Sequence, residues 1–466
     1  MKMAWTAMAV MALVLGNAWG AAAQAQTQAA GAPANPFLGG IPKGTVTSTP
    51  LPLSAKDAVQ RALENNLGLL LQEEAETTAH GARWRALADL LPNVSGSLAA
   101  RRQVINLEAF GFPANPPRVG PFNIYDARVF LSQPVVDLSA MNDARAASAN
   151  EKAAKYNVKS ARDLVVLVAV NLYLEAVAQS ARVDMVHAQL QTAEELLKQA
   201  QDLKASGIVA SLDVVRAQVQ VQNQRQRSIG AENDLEKAKL QLAHAIGIPV
   251  AQPITLTDTV PYAPLPPPSV DESLARALET RPDYLAAKSR LEAAQAANRA
   301  ANFALLPSFR VDADYGTIGN TPGTALTTYT MAATIKIPVF DGGRTTARRL
   351  EAGAALRERE AELADFRNRV EFEVRSALLD LRAADQQLQA AQTSVQLAND
   401  ELRQARDRFA AGVAGNLEVT QAQESVATAS DVYVTALYAH NLAKASLAQA
   451  LGIAESAVMT FLGGTK

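Results

Sequence analysis
A chain of 466 residues with a formal net charge of -2 presents no surface suited to a polyanion, so nucleic acid is not an expected partner. It is 48% hydrophobic but only 5% aromatic, and its length suggests two or three domains. Cysteine is absent, which excludes disulfides and a lipidated N-terminal cysteine.

Residues 1–23 read as a secretory signal: Lys2 precedes an apolar run from Ala4 to Trp19, and Ala21-Ala22-Ala23 offers small residues for cleavage. The chain is therefore expected to leave the cytoplasm. No later stretch reads as long and apolar enough for a transmembrane helix. Residues 24–52, rich in Gln, Ala, Gly and Pro, read as an irregular lead-in. A first repeat follows over residues 53–249. It opens with a helical pattern from Asp57 to about Leu91, with Ser54 as its N-cap. A β-hairpin over about 94–133 comes after Leu90-Leu91-Pro92. A very long helix runs from about Ser139 to Ala205, then a turn at 206–211, then a helix to Ala245 stopped by Gly247-Ile248-Pro249. Residues 250–269 form a Pro-rich linker. The second repeat, 270–454, has the same order: helix, hairpin at about 308–338, long helix, turn at 411–416, helix. Residues 455–466 are a C-terminal tail.

The repetition is explicit. Arg61-Ala62-Leu63, Leu90-Leu91-Pro92 and Pro134-Val135-Val136-Asp137 return as Arg276-Ala277-Leu278, Leu305-Leu306-Pro307 and Pro338-Val339-Phe340-Asp341. A steady spacing of about 205–215 residues marks an internal duplication. Each long helix, at nearly 70 residues, spans about 100 Å, and each shorter one about 54 Å. Two short helices end to end therefore match one long one, so each repeat reads as a continuous rod beside a broken one. Leu381, Ala384, Leu388, Ala391, Val395, Ala398, Leu402, Ala405 and Phe409 step by three and four, as do Val183, Val186, Leu190, Ala193, Leu197 and Ala200. These are heptad packing seams, not ligand stripes.

The hairpin segments alternate apolar with polar. Phe309, Val311, Ala313 and Tyr315 interleave with Arg310, Asp312 and Asp314. A half-buried soluble sheet shows the same pattern. Here, however, the hairpins sit between rods too long for a globular core, in an exported chain, which favours tilted transmembrane strands. In lipid every backbone group must pair, so a barrel must close. Four strands cannot close alone; three chains would supply about twelve, enough for a polar lumen.

At the two turns, Gly207 and Gly412 suit a helix C-terminus needing positive φ, and Ser211 and Asn416 suit the next N-cap. Asp213 and Glu418 fall in the first turns, where the helix dipole alone would favour acids. Spacing by three sets Asp213 with Arg216, and Glu418 with Gln421, on one helix face.

With these features in place, the chain resembles the TolC family of outer membrane efflux proteins. The Leu-Leu-Pro junctions, the segment Ile337-Pro338-Val339-Phe340-Asp341-Gly342-Gly343-Arg344 and the two turns carry the resemblance. It implies a mainly α fold with a membrane β-barrel: a duplicated β-β-α unit forming a homotrimer, with a 12-stranded barrel in outer membrane lipid continued by a long periplasmic α-helical barrel. It also implies a periplasmic adaptor (membrane fusion) protein and an inner-membrane transporter as partners, and a gate at the periplasmic end. Carried over by position, the constriction falls on Asp213, Arg216, Glu418 and Gln421, and adaptor docking on the tip turns at Gly207, Ser211, Gly412 and Asn416. The sequence departs from the family's pair of aspartates by having Glu418 then Gln421. Phe409 lacks a hydroxyl, and Ala414 is not basic.

Nothing points to an enzyme or a cofactor. His80, His187, His244 and His440 are scattered without ligand spacing, and no phosphate loop or nucleophile elbow occurs. The expected function is an exit duct for small molecules such as drugs and toxic compounds. Protein export by a type I secretion system remains the near variant, and a periplasmic coiled-coil adaptor the rival from another class.

Overall fold
The computed structural model describes residues 35–113, 115–207, 209–258, 263–266, 268–411, 413 and 415–461. The expected signal peptide, Gly412 and Ala414 thus lie outside the described residues. In chain order the main elements are β1 (Leu51–Leu53), α1 (Ala55–Asn65), α2 (Leu67–Ala88), β2 (Asn93–Asn106), β3 (Arg118–Val136), α3 (Leu138–Ala205), α4 (Ser211–Ile246) and β4 (Ile254–Leu256). The second repeat brings α5 (Val270–Thr280), α6 (Pro282–Phe303), β5 (Ser308–Gly319), β6 (Leu326–Lys336), α7 (Arg344–Ala410), α8 (Asn416–Ala450) and α9 (Ala454–Phe461).

Helices α3 and α7 are unbroken, with 68 and 67 residues, or about 100 Å each. In the half nearer the strands their neighbours are α2 and α6. In the half nearer the turns they are α4 and α8. The short helices therefore stack along the long ones, with the break halfway. Leu381, Ala384, Leu388, Ala391, Ala398, Ala405 and Phe409 of the expected seam are buried, as are Ala193 and Ala200.

Each helix before a hairpin, expected to be continuous, is two helices. Asn66 adopts extended geometry (φ -66°, ψ 127°), ending α1 while its side chain accepts from Gly68 N and Leu69 N to start α2. The lead-in takes up the backbone groups the break frees: Ile41 N donates to Asn65 O at 2.9 Å and Leu67 N to Gly39 O at 3.0 Å. In the second repeat the break falls at Arg281, which Pro282 forces out of the helical region. A parallel pair, β1 with β4, lies within stretches that read as lead-in and linker. Ala454–Phe461, largely within the expected C-terminal tail, form a helix, α9.

The main core sits at the equator. Val165, Val166, Ala169, Val170, Tyr173 and Leu174 of α3 pack against Leu53, Ala58, Leu242 and Ile246. Each such aliphatic side chain contributes roughly 1.5–3 kcal/mol on burial. Contrary to the reading of the sequence, α3 contains a stretch apolar enough to cross a membrane, but half of that window is buried in this core. Tyr173 Oη donates to Leu53 O (3.1 Å) or Asp258 Oδ2 (2.9 Å), tying α3 to both β1 and the linker. Higher up, buried Glu151 is held by Arg83 (3.1 Å), His80 (3.1 Å) and Lys155 (2.9 Å), fastening α2 to α3.

The four long strands form one antiparallel sheet in the order β2-β3-β5-β6. Cross-strand pairing sets Val129 beside Gly96 and Tyr315, Leu131 beside Val94 and Ala313, and Tyr315 beside Tyr329. That face is apolar and open: Leu98 is 88% exposed, Met331 75% and Tyr329 74%. On the other face Arg128 bonds Asp126, Asp314 and Thr328, and Ser132 donates to Asp312 at 2.6 Å. Among the described residues β2 and β6 each pair with one strand, so both sheet edges are unpaired there.

Candidate functional site
The turns at the far end of the long helices are built differently from one another. In the first, α3 ends at Ala205 and Gly207 takes φ 76°, its N–H returning to Lys204 O at 2.9 Å. The positive φ expected there is present. Ser211, however, is the first helical residue and not the cap. Ala210 caps by backbone geometry alone, and Ser211 Oγ instead accepts from Lys204 Nζ at 3.1 Å. Asp213, half-buried, pairs with Arg216 at 3.6 Å. The sequence spacing brings those two together as expected.

In the second turn α7 ends at Ala410, and Val413 N donates to Arg408 O at 3.1 Å. Helix α8 begins at Asn416 behind Gly415 at the cap position, so Asn416 is not the N-cap either. Glu418 pairs not along its own helix but back across the turn, with Arg408 Nε at 3.2 Å. Gln421 is exposed and lines a groove between α7 and α8, beside Leu397, Glu401, Thr420 and Glu424. Arg408 escaped sequence reasoning. The basic residue in the last turn of a helix was the available signal.

Beneath the turns lies a small core. Phe409, 3% exposed, packs with Leu196, Ala405, Val419 and Ala422, which joins α3 to both α7 and α8. Lys204, its counterpart in the first repeat, is exposed. Further up, Gln220 donates to Glu424 at 3.0 Å and Arg227 at 3.0 Å, so α4 grips α8. Burial pushes the Glu424 carboxyl up, but these two hydrogen bonds outweigh it and its pKa is lowered. Among the described residues no group of three or more His, Cys, Asp or Glu could hold a metal. Among its described residues the tip offers charge and contact surface.

Comparison with known proteins identifies the family. The family model described as outer membrane efflux protein matches residues 58–248 and 274–453, one segment in each repeat. The pyoverdine export outer membrane protein OpmQ of Pseudomonas aeruginosa is 27% identical over 408 residues, covering 84% of each chain. The probable efflux pump outer membrane protein TtgC of Pseudomonas putida is 26% identical, over 84% of this chain and 82% of its own. Among solved structures, CusC superposes with a TM-score of 0.75 at 19% identity, over 88% of this chain and 99% of that one. The outer membrane protein VceC of Vibrio cholerae superposes with 0.75 at 20%, over 85% and 96%. The rods, the free-edged membrane sheet and these matches lead to one assignment: the chain belongs to the outer membrane efflux protein family.

Proposed function
We propose that three copies of this chain close one 12-stranded barrel in the outer membrane and one helical duct beneath it. The duct passes small molecules outward from an inner-membrane transporter through a periplasmic adaptor. The observation that carries this reading is the four-stranded sheet with two unpaired edges and an open apolar face. Unpaired edges in hydrocarbon cost several kcal/mol per group, so neighbouring copies must supply the partners. The polar face, with Arg128, Asp126, Asp312 and Asp314, then lines the lumen. Relatives named for pyoverdine export and for an efflux pump favour a small-molecule cargo over a protein one. A soluble periplasmic adaptor would not carry this sheet.

In this reading Asp213, Arg216, Glu418 and Gln421 surround the constriction, and the turns at Gly207, Ser211, Gly412 and Asn416 meet the adaptor. The test is purification from outer membranes, native mass measurement, and reconstitution in planar bilayers. The expected result is a trimer that forms discrete pores. A monomer without pores, recovered from the soluble periplasm, overturns the proposal.

A further inference from the structure
Between the two helix pairs of the tip half lies a cavity of about 320 Å³, lined by residues of α3, α4, α7 and α8. It is half-open, with Ala188 and Asn399 exposed at its rim; the Arg182 contacts with Asp431 and Thr435, both at 2.9 Å, lie to one side of it along the helices and the Phe409 core to the other. Three buried polar atoms of its lining have no partner: Gln189 Nε2, Gln224 Oε1 and Arg406 Nε. Gln224 is 2% exposed, so water outside the wall does not serve it. Thr192, Asn399 and Gln423 add further polar groups, and among the described residues no acidic side chain lines the space. An unpaired buried polar atom costs about 1–3 kcal/mol, and three in one cavity mark a place built for an occupant.

The donors and the charge state what that occupant is. Arg406 makes the lining cationic, and a guanidinium fork matches a carboxylate. Gln189 Nε2 is a second donor. Gln224 Oε1 is an acceptor, which a simple anion leaves unsatisfied and a hydroxyl satisfies. We propose that this cavity binds a small hydroxycarboxylate, with its carboxylate on Arg406 and Gln189 and its hydroxyl donating to Gln224. The occupant ties the α3–α4 pair to the α7–α8 pair. The inference does not depend on which cargo the channel carries.

The experiment uses the purified full-length protein in detergent, titrated with lactate, propionate and lactamide at constant ionic strength and followed by ligand-observed NMR and by the melting midpoint. Lactate is expected to bind saturably with one site per chain and to raise the midpoint. Propionate, without the hydroxyl, is expected to bind more weakly, and neutral lactamide not to compete. Arg406→Gln should weaken lactate by about tenfold or more, and Arg406→Lys by less. Gln224→Leu should erase the difference between lactate and propionate. Arg403→Gln, on the exposed face of the same helix, should change nothing. The proposal is overturned by absence of saturable lactate binding up to about 10 mM, by equal binding in a correctly assembled Arg406→Gln protein, or by a density map showing only water or another copy's side chain in the cavity.

Discussion

Arg408 Nε and Glu418 Oε1 meet at 3.2 Å across the second turn, joining the last turn of one 67-residue helix to the first turn of the next. In the first turn the acid, Asp213, pairs along its own helix with Arg216, and the contact across the turn is Lys204 Nζ with Ser211 Oγ. Both members of the Arg408–Glu418 strap are largely exposed, so each copy contributes about 0.2–1 kcal/mol, and salt weakens it. If the tip is the gate, Arg408→Ala and Glu418→Ala should each raise pore conductance or open probability several-fold at low salt and little at high salt. The charge-reversed double variant, Arg408→Glu with Glu418→Arg, should restore closure. A double variant as leaky as the singles counts against the strap.

Gly207 stands at φ 76° with nothing within 4 Å of where a Cβ would lie. The cost of Gly207→Ala is therefore conformational alone, about 1–2 kcal/mol. It should appear as faster amide exchange at the end of α3 and the start of α4, with the global melting midpoint unchanged. Protection equal to that of the parent protein would mean that the turn does not need the left-handed residue.

Glu151 is a test in acid. Hydrogen bonds from Lys155 and His80, with Arg83, hold its carboxyl from 4.5 down to about 2. A depressed carboxylate contributes fully above the unfolded value and loses that contribution as pH falls from about 4.5 towards 2. Glu151→Gln should lower stability at pH 7 by about 1.5–3 kcal/mol. Its melting midpoint should also fall less steeply than the parent's over that acid window. Parallel curves would assign the acid lability to another group.

Lys444 is fully buried in α8, with Asn441 Oδ1 3.4 Å away. Burial lowers its pKa from 10.5 to about 8, against the opposing pull of Asp385 from α7. His440, one turn earlier and 3.8 Å from Asp385, is lowered as well, again chiefly by burial. The unfolded chain binds the extra proton between pH 8 and 10.5, so stability should rise through that interval. Lys444→Met should raise stability at pH 7 by about 1–3 kcal/mol and flatten that rise. Thermal melts of both proteins from pH 6 to 10 check this. A destabilised Met variant would show that the bonds of the ammonium outweigh the cost of its burial.

What the sequence disclosed follows from what is periodic. The heptad seam ending at Phe409, the alternation along β5, and proline boundaries such as Pro92 and Pro307 are local patterns, and they carried the rods, strands and duplication. The break at Asn66 was hidden because its cause is remote: Gly39 and Ile41 supply the backbone partners that make an interrupted helix cheaper than a continuous one. The pairing of Leu51–Leu53 with Ile254–Leu256 is too short to show a period, and its partners are far apart in the chain. At the tip, Asp213 with Arg216 was legible because both lie on one helix face. Glu418 with Arg408 was not, because only the geometry of the turn brings them together.

The equatorial pairing has a consequence for how the duplicated halves relate. Strand β1, where the lead-in meets the first repeat, is zipped to β4 in the linker after it, so the two ends of the first repeat are held together. The second repeat has no such clasp among the described residues. Its end, α9, instead crosses over to the first, placing Ala454 and Val458 in the equatorial core and Glu455 on Arg162 at 2.5 Å. One half hosts and the other is a guest. A chain cut at the linker would leave the first half with the berth of Ala454 and Val458 vacant and the second half with α9 unpacked.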